Sequence, residues 1–346
     1  MMTPRRWTAA VAALIAILPA ASRAQAPATR EAIEADFRRD VIRAERTRIE
    51  RLAALAASQP KAEASKTYAE LFRLAIASGL YAEAEPTAER LVRSGGATAD
   101  MGLLADVVNV LAKAERGAYQ ESLDSLAEAI KARDDADAAG GRRTLPISAR
   151  LALANIYVEH LIHAAQYDVA RRALTMIRDS AGEPALKSLA ERRLAQVDLV
   201  GKPAPPIVGT SIDGQPVRLA DSKGDVVLVV FWATWCAPNA EEAERLGVLE
   251  AANRGKGLRI IGINLDPMQD GGVPAESVMP NVRRFLVDHN VRWPNLLNGP
   301  GDRDYARAFG VTEIPANALI GRDGTVLHLD LTAATLEPAV AKALGR

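Results

Sequence analysis

One residue of this chain could act as a nucleophile: Cys236, the single cysteine among 346 residues. It follows an apolar, β-branched run at residues 226–232, which predicts a buried strand, and it precedes a helical pattern at residues 240–253. A cysteine at the start of a helix faces unpaired backbone N–H groups and the positive end of the helix dipole. Both favour the thiolate, which is the reactive form, so we expect thiol chemistry at Cys236.

The neighbours of Cys236 are suited to such a site. Trp235 offers a flat apolar surface beside the sulfur, and Pro238 fits the first helical turn, where its missing N–H costs nothing. Further strands are predicted at residues 258–265, 316–320 and 325–329, and further helices at 280–289 and 336–344. This order predicts a mixed sheet with helices on both faces.

Four segments then resemble the TlpA/ResA branch of the thioredoxin superfamily. They are FWATWCAP at 231–238, GKPAP at 201–205, DGQPVRL at 213–219 and GVTEIP at 310–315. The resemblance implies an α/β thioredoxin fold over residues 201–346, with Cys236 as the catalytic residue. It also implies a cis peptide bond before Pro315, which would expose backbone to an extended substrate. The substrate-binding residues that it implies are Trp235, Pro238, Asn239, Ile314 and Pro315.

The chain departs from this family at two positions. Asn239 stands where the family has its second active-site cysteine, and Val230 stands where many thioredoxins carry a buried acid. A site with two thiols resolves its mixed disulfide by internal attack, whereas Cys236 would need an external thiol. The amide of Asn239 either donates to the thiolate and keeps its pKa low, or is a neutral filler.

The N-terminal half is helical in composition from Thr29 to about Val200, and Thr29 can cap a first helix with Ile33, Phe37 and Val41 on one face. A glycine or alanine two residues before a tyrosine recurs at 79–81, 117–119 and 165–167, as in tetratricopeptide helix pairs. A plain helical bundle is the alternative. We therefore expect two domains: an all-α domain of repeat-like helix hairpins at 25–200 and the thioredoxin-like domain at 201–346. The helical domain would be a surface for a protein partner.

Residues 1–24 have the order of a secretory signal peptide: Arg5 and Arg6, then an apolar run at 7–21, then small residues. We expect cleavage after Ala24, with Ala26 as the alternative. The apolar run is short for a bilayer span, so no membrane span is expected after cleavage. The predicted location is extracytoplasmic, in a bacterial periplasm.

Composition and residue spacing give no support for nucleic-acid binding, a metal or a cofactor. Lysine plus arginine and aspartate plus glutamate number 43 each, so no net charge favours nucleic acid. His160 and His163 lie one helical turn apart, but no third ligand is near in sequence, and we predict no metal and no cofactor.

Three functions remain open. The first is a thiol-disulfide oxidoreductase that uses the single thiol of Cys236 on protein or small-molecule disulfides and thiols. The second is a redox-inactive thioredoxin-fold binding module with a helical partner-binding domain. The third is a thiol peroxidase, although Val229 and Ala233 stand where peroxiredoxins have proline and threonine. The sequence also leaves open whether Cys236 links two copies of the chain.

Overall fold

The computed structural model describes residues 29–94, 99–131, 145–180, 182–236 and 239–345. The predicted signal peptide and Pro238 lie outside the described residues. A helical region is followed by a region built around a sheet, so the predicted fold class is confirmed. Among the described residues, no helix is both long enough and apolar enough to cross a bilayer.

The helical region is built from hairpins. Its helices are α1 (Arg30–Ser58), α2 (Lys61–Ser78), α3 (Tyr81–Ser94), α4 (Ala99–Glu115), α5 (Tyr119–Ile130), α6 (Ile147–His163), α7 (Tyr167–Ser180) and α8 (Pro184–Val197). Thr29 caps α1 as predicted, because its side chain accepts the N–H of Ala32 at 3.2 Å.

The recurring sequence pattern marks the turns of three hairpins. The turn residues Gly79, Gly117 and Ala165 have φ values of 67°, 77° and 55°. The tyrosine two positions later starts α3, α5 and α7 in turn. The small residue three positions after each tyrosine is fully buried; these residues are Ala84, Ser122 and Ala170. The pattern therefore has the physical role expected of it, since small residues let the two helices of a hairpin pack closely.

The hairpins stack in two layers. Helices α2, α4, α6 and α8 contact one another in succession, and α1 contacts α3 while α5 contacts α7 in the second layer.

The first part of the apolar face of α1 is exposed. Ile33, Phe37 and Val41 do share a face of α1, but they are 53%, 64% and 42% exposed. The helix is buried only further along, where Ile49 packs against Leu71 of α2. The periodic pattern predicted the helix, and the tertiary structure leaves the start of its apolar face without a neighbour among the described residues.

The second region contains a five-stranded sheet. Its strands are β1 (Val208–Thr210), β2 (Pro216–Arg218), β3 (Val226–Trp232), β4 (Leu258–Asn264), β5 (Asn295–Leu297), β6 (Ala316–Ile320) and β7 (Val326–Leu329). Its helices are α9 (Asn239–Asn253), α10 (Ala275–Asp288), α11 (Tyr305–Ala308) and α12 (Ala333–Ala343). The sheet order is β5-β4-β3-β6-β7, and β1 pairs with β2 separately. Strand β3 is parallel to β4 and antiparallel to β6, so the mixed sheet is confirmed.

Two predicted helices start earlier in the structure. Helix α10 begins at Ala275 rather than at Pro280, with Pro274 at its N-cap, and so it contains Pro280 in its interior. Helix α12 begins at Ala333 after Thr332, whose side chain takes part in a capping box with Thr335. The predicted starts were wrong because both helices begin with residues that carry weak apolar periodicity.

Strand β3 is buried on both faces, as its continuous apolar sequence predicts. One face, with Val226 and Leu228, packs against α9 and α12 through Leu246 and Leu336. The opposite face, with Phe231, belongs to a hydrophobic cluster that continues without interruption into α4–α8 of the helical region. The two regions therefore share one core.

Polar contacts reinforce this junction. The hydroxyl of Tyr167 at the start of α7 accepts the N–H of Leu329 in β7 at 3.1 Å. Its burial raises the pKa of Tyr167 to about 12. Gln196 of α8 donates to the carboxylate of Asp330 at 2.9 Å. Helices α7 and α8 are thus held against the edge of the sheet that β7 forms.

Candidate active site around Cys236

Cys236 lies in the loop between β3 and α9, as the strand–helix pattern predicts. Its N–H donates to the carbonyl of Ala233 at 3.2 Å, and its own carbonyl accepts the N–H of Asn239, the first residue of α9, at 3.1 Å. The thiol is partly buried and forms no disulfide. The fold therefore presents this sulfur at the start of a helix, at the carboxyl end of the central strand.

The loop that contains Ile314 and Pro315 lies against this thiol. The S–H of Cys236 donates to the carbonyl of Ile314 at 3.7 Å. The Ile314–Pro315 peptide bond is cis, and the side chain of Pro315 is exposed. Two segments separated by nearly eighty residues in sequence thus meet at the sulfur.

Trp235 and Pro315 leave the sulfur open to an approaching molecule. Trp235 is 53% exposed, which is unusual for so large an apolar side chain in a monomer. Pro238 lies outside the described residues. The exposed indole beside a partly buried thiol gives an incoming chain an apolar surface to cover.

Asn239 is bonded to the backbone of the loop that carries the thiol. It is 3% exposed, and its side-chain Nδ2 donates to the carbonyl of Ala233 at 2.8 Å. Its Oδ1 has no hydrogen-bond partner among the described residues. In this structure the amide of Asn239 braces the loop, since Ala233 also accepts the N–H of Cys236.

The electrostatics of the thiol differ from the expectation. Partial burial raises the pKa of Cys236 above its ordinary value, because desolvation penalises the charged thiolate. The contact with the carbonyl of Ile314 acts in the same direction, since a carbonyl accepts from the thiol and repels the thiolate. The prediction of a lowered pKa, made from the position at the helix start, is wrong in direction.

A further functional residue was missed from sequence: Asp266, which directly follows the residue after β4. It is 2% exposed, and its two carboxylate oxygens accept the N–H and the hydroxyl of Thr234, each at 2.8 Å. The N–H of Asp266 donates in turn to Asn264 at 3.1 Å. The sequence does contain a signal for Asp266. Parallel strands end at the same edge of a sheet, so an acid after β4 must lie near the loop after β3.

The two histidines singled out for their spacing do not belong to this site. His160 of α6 packs edge-on against Tyr81, with ring centroids 6.2 Å apart. Over the described part of the chain, no group of three histidine, cysteine, aspartate or glutamate side chains is placed to hold a metal ion.

The C-terminal region is similar to known proteins. Residues 200–329 match the model of the AhpC/TSA family. Thiol-disulfide oxidoreductase ResA of Bacillus thuringiensis subsp. konkukian is 29% identical over 129 residues, which are 37% of this chain and 68% of that protein. ResA of Bacillus subtilis is 28% identical over 129 residues, 37% of this chain and 65% of that protein.

Solved structures were also matched. A putative thiol:disulfide interchange protein DsbE from Chlorobium tepidum is 27% identical with a TM-score of 0.37, covering 42% of this chain and 98% of that one. The resemblance of the C-terminal region to ResA-like thioredoxin-fold proteins is thus confirmed by its relatives in sequence.

Proposed function

We propose that this chain carries out thiol–disulfide exchange with Cys236 as its single nucleophile, and that an external thiol completes each cycle. The placement of the Cys236 sulfur 3.7 Å from the Ile314 carbonyl, between exposed Trp235 and exposed Pro315, carries the proposal. The names of the relatives, thiol-disulfide oxidoreductases, support the same chemistry.

The cycle has two balanced steps. The thiolate of Cys236, its proton having gone to solvent, attacks one sulfur of a substrate disulfide. A mixed disulfide forms, and the other substrate sulfur leaves as a thiolate and takes up a proton. An external thiolate then attacks the substrate sulfur of the mixed disulfide, forms a new disulfide with it and releases the thiolate of Cys236. Cys236 ends reduced, so the exchange involves no net oxidation of the protein.

The alternative is a redox-inactive binding module whose helical domain holds a partner. Burial raises the pKa of Cys236, and a raised pKa slows thiol chemistry, so the reactivity of this thiol separates the two. The two proposals differ in one measurable property, the ability of Cys236 to form a mixed disulfide.

The proposal includes export. The charged, apolar and small-residue order of residues 1–24 supports cleavage after Ala24 and release into an extracytoplasmic compartment, with residues 25–200 and 201–346 as the two domains. Intact mass of the protein recovered from a periplasmic fraction tests this, since retention of residues 1–24 in that fraction would contradict it.

Incubation with oxidised glutathione tests the chemistry. We expect the purified chain to gain the mass of one glutathione, to lose it on addition of dithiothreitol, and to show no gain in the Cys236→Ser variant. Absence of an adduct from neutral to alkaline pH, in a chain that binds a partner, would contradict exchange and favour the binding module. Rapid oxidation of Cys236 by hydrogen peroxide without any mixed disulfide would favour the peroxidase.

A further inference from the structure

A groove lies where the helical region meets the loop that carries Pro315. Its volume is about 730 Å³, and its lining comes from α6, α8 and the segment Thr312–Glu313. Leu151 of α6 and Leu189 of α8 supply apolar surface. Arg192 of α8 and Glu313 also line the groove, and both are exposed. The lining therefore combines apolar side chains with charged side chains of both signs.

The groove lies next to the active site along the backbone. Glu313 is bonded to Ile314, whose carbonyl accepts the S–H of Cys236 at 3.7 Å. Since consecutive Cα atoms are about 3.8 Å apart, a chain that leaves the sulfur reaches the groove within roughly two extended residues. A polypeptide joined to Cys236 would pass the groove if it ran along residues 312–314.

A buried arginine links α6 and α8, the two helices that line the groove. Arg193 of α8 is 4% exposed and donates to Asn155 of α6 at 2.8 Å and to Glu159 of α6 at 2.9 Å. These bonds fix α6 and α8 relative to each other. A site that is already formed loses less entropy when it binds a flexible segment.

The loop side of the groove is positioned by α8 as well. Gly310 has φ of 67°, and a Cβ there would lie 2.7 Å from Cβ of Gln196 and 2.9 Å from its Cα. The backbone of the loop thus rests directly on α8. Gln196 also donates to Asp330, which accepts the N–H of Asn317 just after Pro315. One helix therefore supports both the groove and the segment that faces the thiol.

We propose that the helical region forms one wall of the substrate site, and that the groove holds an extended segment of a substrate protein next to its reactive cysteine. The inference rests on the proposed exchange chemistry and names its substrate class as polypeptide. A small disulfide reaches Cys236 without entering the groove, whereas a polypeptide spans both. The groove is one residue along the chain from the Ile314 carbonyl that contacts Cys236, and its volume and its apolar and polar lining fit one or two aliphatic side chains beside polar backbone.

The test compares two disulfides on the full chain. Ala185 is exposed and lines the groove from the first turn of α8, so Ala185→Trp fills it. Ala195 is exposed on the same helix and does not line the groove, so Ala195→Trp is the matched control. The probes are 5,5′-dithiobis(2-nitrobenzoate), a small aromatic disulfide, and scrambled ribonuclease, an unfolded polypeptide with mispaired disulfides.

We expect Ala185→Trp to react with the small disulfide at the wild-type rate and with scrambled ribonuclease at least about five-fold more slowly. Ala195→Trp should match wild type with both. Equal rates for all three proteins with ribonuclease, or equal slowing of Ala185→Trp with both probes, would overturn the proposal. A wild-type chain that reacts with neither probe would instead refute the exchange chemistry, and the proposal with it.

Discussion

The N–H and the hydroxyl of Thr234 both donate to the carboxylate of Asp266, each at 2.8 Å. Thr234 lies two residues before Cys236, and Asp266 lies two residues after the neighbouring strand. The pair therefore joins the ends of β3 and β4 and sets the path of the loop that carries the thiol. A buried carboxylate with two donors on one residue is a strong local restraint.

Removing this carboxylate should loosen the loop. We expect Asp266→Ala to lower the free energy of unfolding by about 2 kcal/mol, because two donors of Thr234 lose their acceptor in a buried site. Urea denaturation measures the loss, and Asp302→Ala, at an exposed aspartate of the same region, is the control. An Asp266→Ala protein as stable as the control would show that the Thr234–Asp266 pair contributes little to the free energy of unfolding.

Restoring a second thiol should change how the cycle ends. In Asn239→Cys, the mixed disulfide at Cys236 can be attacked from within the chain, where a nearby thiol has an effective concentration of roughly millimolar or more. We expect the glutathione adduct to persist at least about ten-fold less than in wild type. Asn239→Ser loses the same amide bond to Ala233 without gaining a thiol, so it should keep the long-lived adduct. Equal adduct lifetimes in the two variants would contradict internal resolution.

The reactivity of Cys236 should depend strongly on pH. Since burial raises its pKa, the thiolate fraction at neutral pH is small, and the rate of alkylation by iodoacetamide should rise about ten-fold for each pH unit. We expect the midpoint above the value of about 8.5 for a free thiol. The same chain in concentrated urea, which removes the burial, is the control and should titrate near that value. A folded-state midpoint at or below the urea value would contradict the raised pKa.

The same shift has a consequence for stability. The folded state holds the proton of Cys236 more tightly than the unfolded state does. Its contribution to stability is therefore fully present below the unfolded-state pKa and is lost as pH rises through the folded-state pKa. The Cys236→Ser variant should lack this part of the alkaline loss.

The contact between Gly310 and α8 can be tested by comparing alanine variants at Gly310 and at Gly301. Gly310 and Gly301 have φ of 67° and 66°, but a Cβ at Gly301 meets nothing within 4 Å. Both alanine variants incur the cost of a left-handed residue, about 1 kcal/mol. Gly310→Ala should lose about a further 1–3 kcal/mol, because its Cβ collides with Gln196. Thermal and urea unfolding compare the stability of the two variants. Equal losses of stability would show that α8 accommodates the added Cβ without an energetic cost.

Several features could be predicted from the sequence because each depends on local chemistry. The turns before Tyr81, Tyr119 and Tyr167 are visible as small residues with a tyrosine two positions on, since only a few residue types tolerate a positive φ at a helix end. The apolar run of β3 predicts a strand buried on both faces. The location of Cys236 between that strand and a helix follows from the same patterns.

Other features depend on contacts between segments that are distant in sequence. The end of α10 could be predicted, but its start at Ala275 could not, because that turn lacks apolar periodicity. The apolar periodicity predicts that Ile33, Phe37 and Val41 share a face of α1. It does not show whether another segment covers that face, and in the structure these residues are exposed. The sequence also left open whether the amide of Asn239 donates to the thiolate or is a neutral filler, because the choice depends on which acceptors the fold brings near it.

By itself, the sequence determined the two-part architecture, the single thiol and its place at a strand–helix junction, because these follow from residue types and their spacing along the chain. Only the tertiary structure decided the surroundings of that thiol: the carbonyl of Ile314 beside it, the clamp of Asp266 on its loop, and the shared core that brings α8 against Gly310. The physical reason is that desolvation and hydrogen bonding depend on which distant segments pack together. The helix-start position favours a thiolate, whereas burial in the folded chain raises the pKa of Cys236.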